Sequence, residues 1–306
     1  MAHFTTMSPE ALEEWATERF LNRYKDRRLK LLYPAFCKVQ DSVRAFEEAW
    51  EISGLFTLAL KPEGTAIGYD DPVQGNRTRI SHLAYGEGYR ASEEMRDDDR
   101  WDVVAQMGDD LLDAAMDHKE RLAHGVPNDA FTGANFTGLD GLSLCNTAHT
   151  TLKASGTRSN QLAPSADLTH EAIEALLTQA SLQTDEQGRF IPFEPKKLLI
   201  HPANRWEADR LFNSQYQPGS ADNDINTLYL TQLGAAPIRS PYLSDADAFY
   251  LIDDRDGVND VRFFERKKLQ RQTGTDFDTK DMKTTVHYRA STGFWKWEAW
   301  YASPGA

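Results

Sequence analysis

The ten residues Asp140-Gly141-Leu142-Ser143-Leu144-Cys145-Asn146-Thr147-Ala148-His149 decide how this chain is read. Gly141 to Cys145 fall one residue short of a nucleophile elbow. Cys145 stands where the second glycine belongs, and the strained strand-to-helix turn of such an elbow tolerates no side chain there. A hydrolase built on Ser143, Cys145 and His149 therefore stays an alternative without a motif behind it.

Working outward, the C-terminal neighbours alternate between helix and strand. Thr169 is placed to cap a helix over residues 170–182, in which Ile173, Leu176, Leu177 and Ala180 recur at helical spacing, and Gly188 marks the exit. Leu198-Leu199-Ile200 reads as a short buried strand, and His201-Pro202 opens a helix through Trp206 and Leu211. Beyond Pro241 the pattern predicts strands over Phe249–Ile252, Val261–Phe264, Thr284–Tyr288 and Phe294–Tyr301, with a turn at Asp256-Gly257. The aromatic residues of the last run point to a strand covered on both faces.

On the N-terminal side, residues 93–124 read as one long helix. Trp101, Val104, Ala105, Gly108, Leu111, Leu112, Ala115 and Leu122 form its apolar stripe, and its end is expected near Gly125 and Pro127. At 1.5 Å per residue such a helix is a rod of about 45 Å. Ahead of it, the runs Leu55–Leu60 and Arg77–Tyr85 flank a Gly-, Pro- and Asp-rich tract, the pattern of a long hairpin whose tip cannot bury itself in its own domain. Residues 9–30 read as an amphipathic helix capped by Ser8, with Leu12, Trp15, Ala16 and Phe20 on one face. Arg23, Lys25, Arg27, Arg28 and Lys30 are assigned to a solvated face.

The 306 residues carry 34 basic against 47 acidic groups, a net charge of −13, which disfavours a dedicated nucleic-acid reader. The excess is local: residues 51–130 hold 17 acidic and 8 basic groups. Cys37 and Cys145 belong to no disulfide or zinc pattern, so a reducing compartment is the default, and no export or membrane segment is expected. Gly86-Glu87-Gly88-Tyr89-Arg90-Ala91 matches the loose dinucleotide fingerprint but follows a polar run, not a buried strand. Asp254, Asp256, Asn259 and Asp260 fit no calcium-loop register, and the histidines, His118 and His124 among them, show no zinc spacing. No catalytic, cofactor-binding or metal-binding residue is assigned.

Asp140-Gly141-Leu142-Ser143-Leu144 followed by Thr147-Ala148-His149 resembles the D-G-x-x-L…A-H signature of tailed-phage major capsid proteins, closest to the Mu-type head subunits. The likeness continues in Asp185-Glu186-Gln187-Gly188-Arg189, in Pro195 and in Leu198-Leu199-Ile200-His201-Pro202, and upstream in Asp97-Asp98-Asp99 and the exit toward Asn128 and Phe131. The resemblance implies an α+β Hong Kong 97-type capsid fold, divided here into an N-terminal arm (1–45), an extended loop (46–91), the spine helix of a peripheral domain (92–130), an axial domain (131–245) and return strands, mainly of the peripheral domain (246–306).

It further implies a head protein of a double-stranded DNA phage. Copies would build pentamers and hexamers of an icosahedral shell in the host cytoplasm and end in the virion. Its partners would be the portal, scaffolding and decoration proteins, with weak non-specific contact to packaged DNA. A bacterial nanocompartment shell protein of the same fold is the alternative. The basic cluster Arg262, Arg266, Lys267, Lys268 and Arg271 reads first as a solvated strand face, with contact to nucleic acid or to an acidic neighbouring copy as alternatives; on the capsid reading the hairpin and the arm lie across neighbouring copies and this cluster pairs with acidic neighbours. Lys61 lies in the loop, but without a partner motif no covalent joining is carried over.

Overall fold

The computed structural model describes residues 9–28, 30–52, 58, 60–67, 69, 71–97, 101–152, 156–185, 187–216, 225–230, 237–255 and 257–306. Helix α1 (Pro9–Arg28) leads through a 3-10 turn at Tyr33–Ala35 to strand β1 (Lys38–Asp41) and the hairpin strands β2 (Phe46–Ile52) and β3 (Gln74–Ser81). Strand β4 (Leu83–Ala91), the short helix α2 (Glu93–Asp97) and the long helix α3 (Trp101–Asn128) follow. Then come α4 (His170–Ser181), β5 (Lys197–Ile200), α5 (Arg205–Asn213), α6 (Thr227–Leu230) and β6 (Ile238–Arg239). Strands β7 (Phe249–Ile252), β8 (Val261–Thr275), β9 (Met282–Phe294) and β10 (Trp300–Ser303) close the chain.

The strands form three sheets, in the orders β1-β8-β9-β4, β10-β7-β5-β6 and β2-β3. In the first, α3 lies along β9 and β4 and buries Leu111, Leu112, Ala115 and Met116 against Val286 and against Phe20 of α1. The second is sandwiched because Leu-Leu-Ile in β5 and Phe-Tyr-Leu-Ile in β7 are apolar on both faces. Leu199, Tyr250 and Ile252 enter the core shared with Phe36, Val126, Phe294 and Trp300. Leu198, Ile200, Phe249 and Leu251 meet Ile173, Leu176 and Phe212 of α4 and α5. Each such fully buried side chain contributes about 1.5–3 kcal/mol. Residues 246–306 thus send β8 and β9 to one sheet and β7 and β10 to the other.

Several expectations hold. Thr169 caps α4, its side-chain oxygen accepting from the Ala172 amide at 3.2 Å, and β5, β7 and the helix after Pro202 fall where the pattern puts them. Gly257 turns with φ +84°, while Asp256, Ser8, Asp98, Asp99, Glu186 and Leu55 lie outside the described residues, as do the side chains of Leu12, Trp15, Ala16, Arg28, Asp97 and Trp101.

Others are corrected. The long helix runs past Gly125 to Asn128, with Pro127 inside its last turn. Gly125 is a packing residue, since a Cβ there would meet the Phe136 ring at 3.1 Å. The first hairpin strand is Phe46–Ile52; Leu58 and Leu60 lie beyond it. Phe294–Tyr301 is no single strand, because β9 ends at Phe294 and a turn precedes β10. Trp295 and Trp297 are buried as expected, but by turn contacts, with the Leu139 amide donating to the Trp295 carbonyl at 3.0 Å. Strands β8 and β9 run well beyond their apolar halves because the backbone ladder continues between polar residues, as at Thr273 and Thr284.

Candidate functional site

The Asp140–His149 loop is built from side-chain hydrogen bonds. Asp140 accepts the Leu142 amide on Oδ1 at 3.1 Å and faces His149 Nδ1 with Oδ2 at 2.5 Å. Gly141 adopts φ +75°, a left-handed conformation that favours glycine. Leu144 is fully buried in the main core. Asn160 donates through Nδ2 to the carbonyls of Leu144 and Trp300, each at 2.8 Å. That orientation leaves Oδ1 for the Asn146 amide (2.8 Å) and for His149 Nε2 (3.0 Å). His149 is wholly buried and stacks on Trp297 with ring centroids 4.2 Å apart. The loop is thereby tied to the C-terminal strand.

This geometry disposes of the hydrolase alternative. His149 spends both ring nitrogens on Asp140 and Asn160, while the Ser143 hydroxyl donates to the Cys145 carbonyl at 3.0 Å. Cys145 is fully enclosed, and burial pushes its thiol well above its ordinary range; Cys37 behaves likewise. Gly86 to Ala91 lie within edge strand β4, not at a strand-to-helix turn, and a Cβ on Gly88 would strike the Thr284 carbonyl at 2.7 Å. Asp254 pairs with Lys197, Asp260 with Arg262 at 2.7 Å, and Asn259 donates to the Phe36 carbonyl at 2.8 Å. His118 meets the Tyr288 hydroxyl, and His124 meets Ser240. Among the described residues no group of three His, Cys, Asp or Glu side chains is placed to hold a metal, and no helix is long and apolar enough to cross a membrane.

The hairpin and the arm are the segments that the sequence assigned to neighbours. The near half of the hairpin is seated on its own chain: Ala49 and Ile80 pack against Leu139, Phe264 and Trp295, and the Thr78 hydroxyl donates to the Gly138 carbonyl at 2.9 Å. Its outer face carries Arg79 over the Phe46 ring and Arg77 over the Trp50 ring. Farther out, Leu58, Leu60 and Tyr69 are 98%, 94% and 95% exposed. Among the described residues the least buried part is therefore the far half.

Helix α1 corrects in part the expectation of a solvated basic face: Lys25 and Lys30 are exposed, but Arg23 and Arg27 turn to α3 of the same chain. Arg19 and Arg23 bind Asp109 at 2.7 and 3.1 Å, and Arg23 and Arg27 bind Asp113 at 2.9 and 2.8 Å. Burial raises the Asp113 carboxyl, but these guanidinium bonds outweigh it and hold the group below its ordinary value. Part of the acidity of residues 51–130 thus answers the arm of the same chain. The second basic cluster also finds partners within the chain: Lys268 binds Asp41 at 3.2 Å, Lys267 meets His287 at 2.7 Å, and Arg271 lies over the Phe20 ring.

At the root of the arm, Glu120 of α3 accepts the amides of Leu32 and Tyr33. Desolvation pushes its carboxyl up to about 7, against the pull of those bonds. Four residues on, burial pushes His124 down to about 4, its Nδ1 donating to the Glu120 carbonyl at 2.7 Å. A buried ion pair joins Lys119 to Glu265 of β8 at 2.6 Å.

A family model described as phage capsid protein matches residues 77–303, well over half of the chain. The chain belongs to the phage capsid protein family. No curated protein matches this capsid chain in sequence. Among solved structures, the virus-like particle from Pyrococcus furiosus is similar at TM-score 0.55 and 10% identity, over 94% of this chain and 98% of that one. The capsid of a native GTA particle is similar at TM-score 0.58 and 11% identity, over 89% and 88%. Mycobacterium phage Che8 gives TM-score 0.51 and 11% identity over 85% and 84%. The capsid chain has the α+β Hong Kong 97-type fold, and the described loop holds its signature residues in place.

Sequence reasoning missed four anchoring groups. Asp129 organises the exit from α3 by accepting from Thr132, Ala134, Asn135 and Phe136; burial raises its carboxyl, but these bonds together hold it below the ordinary value. Its place just before Thr132-Gly133 was a readable turn signal. Lys119 sits four residues after the buried Ala115, on the apolar side of α3, which marks a lysine in need of a buried partner. Asn160 and His82 had no signal, since their partners come from distant segments.

Proposed function

We propose that this capsid chain is the major head subunit of a tailed double-stranded DNA phage of the Mu type. It self-assembles into pentamers and hexamers that close an icosahedral shell around the genome. The observation that carries this reading is the far half of the hairpin, where, among the described residues, Leu58, Leu60 and Tyr69 stand almost fully exposed. Burial of such side chains in a sister subunit supplies the association energy, and repetition of the same heterologous contact builds a shell.

In this reading residues 1–45 serve as the arm, 46–91 as the extended loop, 92–130 as the spine, 131–245 as the axial domain and 246–306 mainly as return strands. The protein acts as a structural component and not as an enzyme. It is assembled in the host cytoplasm with scaffolding and portal proteins, carries decoration proteins where present, and touches packaged DNA weakly. A nanocompartment shell of the same fold is the second reading; the virus-like particle from Pyrococcus furiosus, similar over nearly all of both chains, is consistent with either shell.

Electron microscopy and sedimentation of the purified protein test the proposal. Closed megadalton particles are expected from the parent chain. Leu58→Asp with Leu60→Asp should abolish them while leaving the fold intact, because both side chains are already exposed. Small discrete oligomers from the parent at every concentration and salt would overturn the proposal. Nucleic acid inside particles recovered from the native source selects the phage head, and protein cargo selects the nanocompartment.

A further inference from the structure

The polypeptide from Gln74 to Ala91 is extended throughout, yet it serves two sheets. Strand β3 pairs with β2 in the two-stranded hairpin, β4 pairs with β9 in the four-stranded sheet, and the single residue between them is His82. The outgoing leg of the hairpin leaves the body at Ser42, just after β1, where the Ser42 amide is held by the Glu265 carbonyl at 3.0 Å. The His82 ring joins these two crossing points. Its Nε2 lies 3.1 Å from Ser42 Oγ, and its Nδ1 lies 2.8 Å from Ser291 Oγ on β9. The imidazole is 4% exposed and packs edge-on to Phe264.

The direction of the hydrogen bonds follows from the neighbours. Ser42 donates its hydroxyl proton to Glu47 at 2.6 Å and accepts the Arg44 amide at 3.2 Å. Ser42 Oγ therefore receives, and does not give, the proton on the line to His82, so Nε2 carries hydrogen. In the neutral ring Nδ1 then accepts from the Ser291 hydroxyl. Adding a proton at Nδ1 removes the acceptor that the Ser291 hydroxyl uses, so the hydroxyl must turn away and place its own proton elsewhere. It also buries a positive charge beside two cations.

The charged groups facing the ring are Glu47 from β2, Arg266 from β8 and Arg289 from β9, with Arg289 Nε donating to the His82 carbonyl at 3.2 Å. Desolvation, with the two arginines, lowers the imidazole from its ordinary value against the opposing pull of Glu47. Beside the joint is a cavity of about 250 Å³ lined by Ile80, Ser81, Leu83, Phe136 and Phe294, which gives the hairpin root room to move.

We propose that His82 is a proton-operated latch for the β2–β3 hairpin: the neutral ring clamps both hairpin legs to β9, and protonation of Nδ1 releases them. The latch belongs to the single chain and does not depend on assembly. It would let acidification change the hairpin's angle while leaving β4 and the four-stranded sheet in place.

Hydrogen exchange of the purified full-length protein, corrected for intrinsic rates, tests this between pH 7.5 and pH 5. As pH falls from the ordinary imidazole value toward the lowered value of the latched ring, exchange in residues 42–52 and 74–82 should rise by up to about tenfold per pH unit, while residues 83–91 keep their protection. In His82→Gln the amide nitrogen can donate to Ser42 and the amide oxygen can accept from Ser291, with no proton to gain. That variant should keep the neutral-pH protection and lose the acid response. His82→Ala should exchange fast in both hairpin legs at every pH. A parent protein whose hairpin protection is flat with pH, or a His82→Gln variant that opens in acid as the parent does, overturns the latch.

Discussion

Replacing Lys119 by methionine probes how the long helix is joined to the sheet. Lys119 is 1% exposed and Glu265 6%, their charged atoms are 2.6 Å apart, and the ammonium also lies 5.1 Å from the centre of the Tyr288 ring. Methionine keeps most of the side-chain volume but leaves the Glu265 carboxylate enclosed without its partner. Breaking a buried pair in this way costs about 3 to 5 kcal/mol, whereas replacing both charges by apolar groups of similar size is near neutral or stabilising. Of a total stability of about 5 to 15 kcal/mol, the single change removes about a fifth or more. The assay is a double-mutant cycle, with Lys119→Met, Glu265→Leu and the double variant unfolded in urea and followed by tryptophan fluorescence. The double variant should recover at least half of the loss. If Lys119→Met costs less than about 1 kcal/mol, or if the two single losses simply add, the pair is not a desolvated couple and the reasoning fails.

Three further outcomes are expected. Glu120, raised to about 7, contributes stability that is complete below its unfolded value and is lost as pH rises through about 7; His124, lowered to about 4, contributes stability that is complete above its unfolded value and is lost as pH falls through about 4. At about 1.4 kcal/mol per pH unit each amounts to about 3 kcal/mol and the two offset each other from about pH 5 to 6, so the Tm of Glu120→Gln should rise relative to that of the parent across this interval; a constant difference between the two refutes the assignment. Asp113→Asn removes the acceptor shared by Arg23 and Arg27, so limited trypsin digestion should cut within residues 19–28 several times faster, as should high salt in the parent, and unchanged cleavage would mean that Asp109 and the Phe20 contact hold the arm without Asp113. Asn160→Ala strips partners from His149, the Asn146 amide and two buried carbonyls, so a loss of about 3 kcal/mol or more is expected in thermal unfolding, together with failure to form particles; a loss below about 1 kcal/mol would show the loop to be held elsewhere.

Local chemistry alone determined much of this fold. The Thr169 cap, the apolar stripe of α3, the doubly apolar runs of β5 and β7 and the D-G-x-x-L…A-H residues are legible because each depends on neighbours within a few positions: a cap, a helical period, a buried run, a left-handed glycine. Where the contact is long-range, the same signals mislead. Gly125 has the look of a helix end but makes room for Phe136, and the alternating aromatics of residues 294–301 have the look of one strand but fill a turn over His149. The arginines of α1 and the aspartates of α3 were each visible as charge; their pairing across some 90 positions was not.

Only the tertiary structure decided which surfaces the chain covers for itself. Whether a basic helix face meets water, its own spine or a neighbour depends on the path of residues 30–32 and on Glu120 taking the Leu32 and Tyr33 amides. Whether a hairpin is seated or free depends on Ile80 finding Leu139 and Trp295. Periodicity records that a side chain seeks burial; the partner that buries it is set by chain geometry that brings distant segments together, and that information is spread over the whole sequence.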